Sequence, residues 1–193
     1  MWWPKDKILT RYIMGELNQD KGKSMIFTIS TQGHSKYPTS NMDMDYKVKL
    51  VDSKLAKQDQ NQINYYANQV YEMDLFVRDL KASLDARKKN YVLVVYGDHL
   101  PALNIITRNM SGVDKFSSLF AVIDNMGIKK KTVQKDLQGY QLSTMVMDLA
   151  GLKYGPMNMV HAYLKDKSDY QEKLKLVQYD ILFGKRYFLK ESE

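Results

Sequence analysis

Cysteine is absent from this 193-residue chain. Disulfides, thiolate nucleophiles and cysteine-ligated zinc sites are excluded with it. No run of eighteen apolar residues occurs, so no membrane-spanning helix is expected. The opening "MWWPKDKILT" lacks an apolar core and a cleavage site, so it does not read as a signal peptide. No strand is followed by a Gly-x-x-x-x-Gly-Lys loop or a Gly-x-Gly-x-x-Gly turn, which leaves those nucleotide-binding modes unsupported. No Gly-x-Ser-x-Gly elbow appears either, which argues against a serine hydrolase of that kind. Histidine is scarce, with three residues at positions 34, 99 and 161.

What is present suits a globular α/β chain. Hydrophobic residues make up 44%, enough to build a core, and the length suits one domain spanning 1–193. Lys and Arg total 29 against 22 acidic residues, a net charge of +7. A basic surface favours an anionic partner such as a lipid, a polymer or a phosphate. Zinc-finger, RNP-type and basic-heptad signatures are lacking, so nucleic acid is not the expected partner. The twelve methionines are scattered without paired histidines and read as core filling. Trp2-Trp3 reads as a segment that packs against something.

Apolar residues at Ile8, Leu9, Tyr12, Ile13 and Leu17 predict a helix over 6–18, with Asp6 as its N-cap. "SMIFTIS", residues 24–30, is rich in β-formers and predicts a strand. Residues 41–57 read as loop. Ile63, Ala67, Val70, Met73, Val77, Leu80 and Leu84 recur at helical spacing and predict a long helix over 60–84. "YVLVVY", residues 91–96, predicts a second strand, and "SSLFAVID", residues 117–124, a third. The stretch between them reads as a long irregular connection. A short helix over 140–152 stops at Gly151, and a last helix covers 168–185 and frays near Gly184. Strands alternating with helices predict an α/β layer with a mostly parallel sheet flanked by helices. The unbroken apolar run of "YVLVVY" suits a central strand buried on both faces.

Two strands end in residues able to do chemistry: 24–30 runs into "TQGH" and 91–96 into "GDH". Ligands gather beyond the carboxyl ends of strands in open parallel sheets. Asp98 and His99 offer a carboxylate oxygen and an imidazole nitrogen, donors that suit Zn²⁺ or Mn²⁺. Two ligands are too few for a complete site. From three residues alone, a polar turn is the stronger reading, with Asp98 capping and His99 packed beside Pro101. His34, in a Gly-His-Ser loop, can donate to a phosphate or sugar oxygen or serve in acid–base work. If both strands lie in one parallel sheet, His34 and His99 converge. His161 has no acidic or histidine neighbour at ligand spacing and reads as structural or surface. Asp180, on an apolar helical stretch, is either a buried anchor or solvent-facing.

Taken in order, the motifs resemble one family. "WWPKDKIL" (2–9), "FTISTQGHSKYP" (27–38), "YYANQVYEMDLFVRDLKASL" (65–84), "YVLVVYGDHLPAL" (91–103), "QLSTMVMDLAGL" (141–152) and "LVQYDILFGKRY" (176–187) together resemble the C-terminal part of the sulfatase branch of the alkaline phosphatase superfamily. The likeness is strongest to lipoteichoic acid synthase-like phosphoglycerol transferases of Gram-positive bacteria. The resemblance implies a partial alkaline phosphatase-like fold. It implies that Asp98 and His99 bind a metal, Mn²⁺ in the first place or else Zn²⁺ or Mg²⁺, and that His34 binds the phosphate-bearing group. In such chemistry a threonine attacks phosphorus, a covalent phospho-enzyme forms, and an acceptor hydroxyl releases it. The family's nucleophilic threonine and remaining acidic ligand precede the region matched here. Thr28, Thr31 and Thr39 surround the substrate histidine and are not placed to replace that nucleophile.

The implied partners are an anionic glycerophospholipid or polymer substrate and the N-terminal half of the catalytic domain. The implied location of the parent protein is the extracellular face of a bacterial membrane. A non-catalytic module binding phosphate or an anionic polymer is the alternative.

Overall fold

The computed structural model describes residues 4–34, 36–51, 54–107, 114–129 and 136–192. Trp2, Trp3, Lys130 and Lys131 lie outside the described residues. The chain forms two compact units, Met1–Val122 and Ile123–Glu193.

In the first unit, helix α1 (Lys7–Gln19) packs on the long helix α2 (Lys57–Ala86). The helical spacing seen in the sequence explains the contact. Phe76, Leu80 and Leu84 on α2 meet Leu9, Ile13, Met14 and Leu17 on α1, with Tyr91 and Leu93 closing the cluster. Asp6 precedes α1, but its carboxylate does not cap the helix. The carboxylate instead accepts from Ser30 Oγ and the Gln32 backbone N–H.

Strand β1 (Val92–Tyr96) pairs with β2 (Phe120–Asp124). Gly97, at the end of β1, donates its N–H to the carbonyl of Leu119, just before β2, so the pair is antiparallel. The expected mostly parallel sheet is therefore not what these strands form: a connection of this kind turns back on itself, where a parallel pair needs a crossover. Nor is β1 buried on both faces, for its last two residues are exposed. A single helical turn, α3 (Asn104–Thr107), lies in the connection.

The expected strand 24–30 is a second correction. It forms no ladder, and Met25, Phe27 and Ile29 are 89%, 66% and 72% exposed. Its composition suits a pleated strand, but among the described residues no strand lies beside it to complete the pairing.

Residues 37–50 run without regular structure, and their backbone groups find partners on α2. Asn61 donates to the Thr39 carbonyl, Gln62 to that of Tyr37, and Asn64 accepts from Leu50 N–H. Asn68 accepts from Lys47 and Val48 N–H at 2.7 and 3.0 Å and donates to the Val48 carbonyl. Side-chain amides thus supply what a neighbouring strand would otherwise give.

In the second unit, α5 (Pro156–Leu164) and α6 (Tyr170–Leu182) pack around Val160, Tyr170, Leu174 and Val177, and α4 (Leu142–Ala150) lies against α5. Gly151 ends α4 at φ 63°, the left-handed cap expected of it. Helix α5 carries no expectation from sequence. Gly155 and Pro156 are its N-cap and first residue. Helix α6 ends two residues before Gly184, near the expected fraying point. Asp180 anchors the turn that follows, accepting from Phe188 N–H at 3.2 Å.

His161 is buried, 4% exposed, and its Nδ1 lies 2.9 Å from the Tyr170 hydroxyl, so its role is structural. Tyr140 stacks on its ring at 5.5 Å, and Gln141 donates to the same Tyr170 hydroxyl. Burial pushes the His161 pKa below its ordinary value of 6.5. The unfolded chain then takes up a proton that the folded chain resists. Stability is therefore full above pH 6.5 and falls as pH drops from there through the depressed folded value. Urea unfolding of the second unit at pH 8, 6.5 and 5 is expected to show that loss. His161→Gln is expected to flatten it, and an equal slope in both proteins would refute the assignment.

Candidate functional site

The end of β1 is held so that Asp98 and His99 project from a fixed loop. Gly97 is held by its N–H bond to Leu119, and its carbonyl accepts from Ser118 Oγ. A Cβ at Gly97 would sit 3.0 Å from Ser118 Oγ and 3.2 Å from Ser118 Cβ, a tight approach that Ser118 would have to yield by a few tenths of an ångström to admit. On the far side, Leu100 N–H donates to the Lys115 carbonyl at 2.8 Å. Two residues are thus presented between two backbone anchors.

The His99 ring is oriented by its own neighbour. Nδ1 lies 2.9 Å from the Leu100 carbonyl, which can only accept, so Nδ1 carries the proton. In the neutral ring Nε2 keeps its lone pair, and Nε2 lies 3.7 Å from Asp98 Oδ2. A backbone carbonyl on one ring nitrogen with the other left as donor is the arrangement that metal-binding histidines use. The Asp98 side chain is 83% exposed and that of His99 42%.

His34 reaches the same place from a distant part of the chain. Its ring centroid lies 6.2 Å from that of His99, edge to face at 81°. Its loop is closed by the His34 N–H bond to the Thr31 carbonyl at 3.0 Å. Tyr37 OH donates to the Gly33 carbonyl at 3.1 Å. Burial, and secondarily the nearby Tyr66, push the Tyr37 pKa up to about 12, so it keeps this proton at any working pH. Met73 Sδ would lie 3.0 Å from a Cβ at Gly33. Tyr37 and Ser118 leave no signal of these roles in the sequence, because each acts through a neighbour's backbone carbonyl.

All three residues singled out from sequence therefore come together, and each lies in the first unit. The chemistry of the donor set fits half of a metal site: one carboxylate and one imidazole nitrogen with a free lone pair. Among the described residues no group of three His, Asp or Glu side chains is gathered closely enough to hold an ion.

Comparison with known families decides the affiliation. The Sulfatase family model matches residues 2–152. The chain belongs to the Sulfatase family. Membership supports an alkaline phosphatase-like fold. A cyclic beta-1,2-glucan modification protein of Rhizobium meliloti (strain 1021) is 24% identical over 94% of this chain. The alignment covers 34% of that protein, so the chain spans about a third of its length. No solved structure matches the chain. No described helix is long and apolar enough to cross a membrane.

Proposed function

We propose that this chain is the C-terminal part of a metal-dependent phosphoryl- or sulfuryl-group transferase acting on a cell-envelope polymer or lipid, with phosphoglycerol as the group carried. The observation that supports this reading is the meeting of His34 with His99 and Asp98, which lie 65 and 64 residues further along the sequence. Family membership supports the group-transfer chemistry, and the glucan-modifying relative supports a polyhydroxylated acceptor.

In this reading Asp98 and His99 would hold the ion, Mn²⁺ first and Zn²⁺ or Mg²⁺ otherwise. When bound, the ion would offset negative charge on the oxygens of the transferring group. His34 donates a hydrogen bond to one of those oxygens and orients the group. The N-terminal half of the catalytic domain supplies the threonine nucleophile and the remaining acidic ligand. The parent protein works on the outer face of a bacterial membrane, on an anionic glycerophospholipid or polymer that its basic charge attracts.

Calorimetric titration of sn-glycerol 1-phosphate into the chain tests this. Binding is expected with Mn²⁺ present, and is expected to weaken at least ~10-fold in His34→Ala, as for the loss of a charge-assisted hydrogen bond of 1.5–3 kcal/mol. Equal binding without metal, and in His99→Ala, would instead establish a non-catalytic anion-binding module. No binding at millimolar ligand would sink both readings.

A further inference from the structure

We propose that Gln32 and Asp6 are positioning residues for His34, fixing where its ring stands relative to Asp98 and His99. The inference rests on the reading of the site given above and adds the device that sets its geometry.

Two polar side chains are hidden beneath the His34 loop. Asp6 is 3% exposed and Gln32 is 2% exposed. Their bonds are reciprocal: Asp6 N–H donates to Gln32 Oε1 at 2.7 Å, and Gln32 N–H donates to Asp6 Oδ1 at 3.4 Å. Ser30 Oγ donates to the second carboxylate oxygen of Asp6 at 2.6 Å. Gln32 Nε2 donates onward to Gln69 Oε1 at 3.2 Å and to Glu72 on α2. Lys5 pairs with the same oxygen of Glu72, Oε2. One loop is thereby tied to the entry of α1 and to the middle of α2 at once.

This is a costly way to hold a surface loop. Burying a carboxylate and an amide is unfavourable unless their polar atoms are bonded. Apolar side chains would anchor the loop with less penalty, but they set depth without setting register. Hydrogen bonds have direction, and Gln32 uses its carbonyl and its amide nitrogen in three bonds to three residues. The loop's position along α2 is fixed as a result. His34 lies two residues beyond Gln32, across a turn that the Thr31 carbonyl closes. Functional groups need placement to about 0.5 Å, which a directional network under the loop supplies.

The test uses the full chain labelled with ¹³C at histidine Cε1 and titrated with Mn²⁺, with Mg²⁺ as the diamagnetic control. Paramagnetic broadening falls steeply with distance from the ion, so each ring reports its own separation. In the natural sequence both His99 and His34 signals are expected to broaden. Gln32→Leu keeps most of the volume and removes the side-chain bonds. It is expected to leave His99 broadening and the Mn²⁺ midpoint unchanged, and to reduce His34 broadening severalfold. Ser30→Ala removes one bond to Asp6 from an exposed position and is expected to reduce it less. It serves if Gln32→Leu fails to fold, as judged by circular dichroism.

Equal broadening of His34 in the natural sequence and in the folded variants would overturn the positioning role while leaving the site reading intact. Loss of His99 broadening together with that of His34 would overturn it too, showing general support of the fold. No broadening of His99 in the natural sequence would remove the metal reading itself, and the inference with it.

Discussion

Saturable Mn²⁺ binding to the purified chain should disappear in both Asp98→Ala and His99→Ala. The expectation follows from ligand number. With two protein donors on adjacent residues, water fills the remaining positions of the ion and the complex is weak. Removing either donor leaves a single contact on an exposed loop. Loss of an outer-shell partner alone lowers affinity 10–100-fold, so loss of a direct ligand should cost at least about 100-fold. The folds of the two variants should survive, because both side chains are substantially exposed and the loop is anchored through the backbones of Gly97 and Leu100. Surface changes of this kind stay within about 0.5 kcal/mol. Calorimetry with parallel urea unfolding separates the two effects. Unaltered Mn²⁺ affinity in both variants would place the ion elsewhere and reduce Asp98-His99 to a polar turn. A loss confined to one of them would mean that the pair does not act together.

How much of this could be read from the sequence depends on the kind of signal each feature leaves. Helix α2 was legible because its apolar residues recur at helical spacing over about six turns, a pattern no strand produces. Gly151 was legible because a left-handed cap has few alternatives to glycine. Residues 24–30 show the limit of composition: β-formers state a preference, but a strand exists only with a neighbour to bond. The antiparallel turn-back from β1 to β2 was hidden because the pattern of alternating elements was read as a series of crossovers. Helix α5 was missed because Gly-Pro marks a stop as readily as a start.

The candidate site was legible in part for a different reason. His34, Asp98 and His99 follow apolar runs that end abruptly in polar residues able to bind ions. Their convergence was conditional on a shared parallel sheet edge, which the sequence order leaves open. It arises instead from two clamped loops, one held by the 115–119 segment and one by α1 and α2. The clamps themselves left no trace. Asp6 carries the pattern of an N-cap, and Gln32 and Gln69 are residue types that mostly face solvent. Their burial is a property of three distant segments at once, which no local window contains.

Leu80→Ala should cost the first unit about 2–5 kcal/mol and take the site with it. Leu80 is 4% exposed at the centre of the α1–α2 cluster, between Phe76 and Leu84. Truncation removes three carbons from a position that both helices face. The surrounding residues can collapse only partly without moving α1. Such a loss is a large fraction of the 5–15 kcal/mol that holds a typical domain. Its reach follows from connectivity. The entry of α1 carries Lys5 and Asp6, and α2 carries Gln69 and Glu72, so the network beneath His34 spans the same interface. When α1 loosens, Gln32 loses partners on both sides. Urea unfolding followed through the histidine signals would show this directly. His34 and His99 should lose their native shifts at lower urea in the variant. His161, in the other unit's own cluster with Tyr170, should move little, since its packing is built from α5 and α6. A midpoint unchanged from the natural chain would mean that this cluster does not hold the helices together. A drop of equal size at His161 would mean that the two units unfold as one.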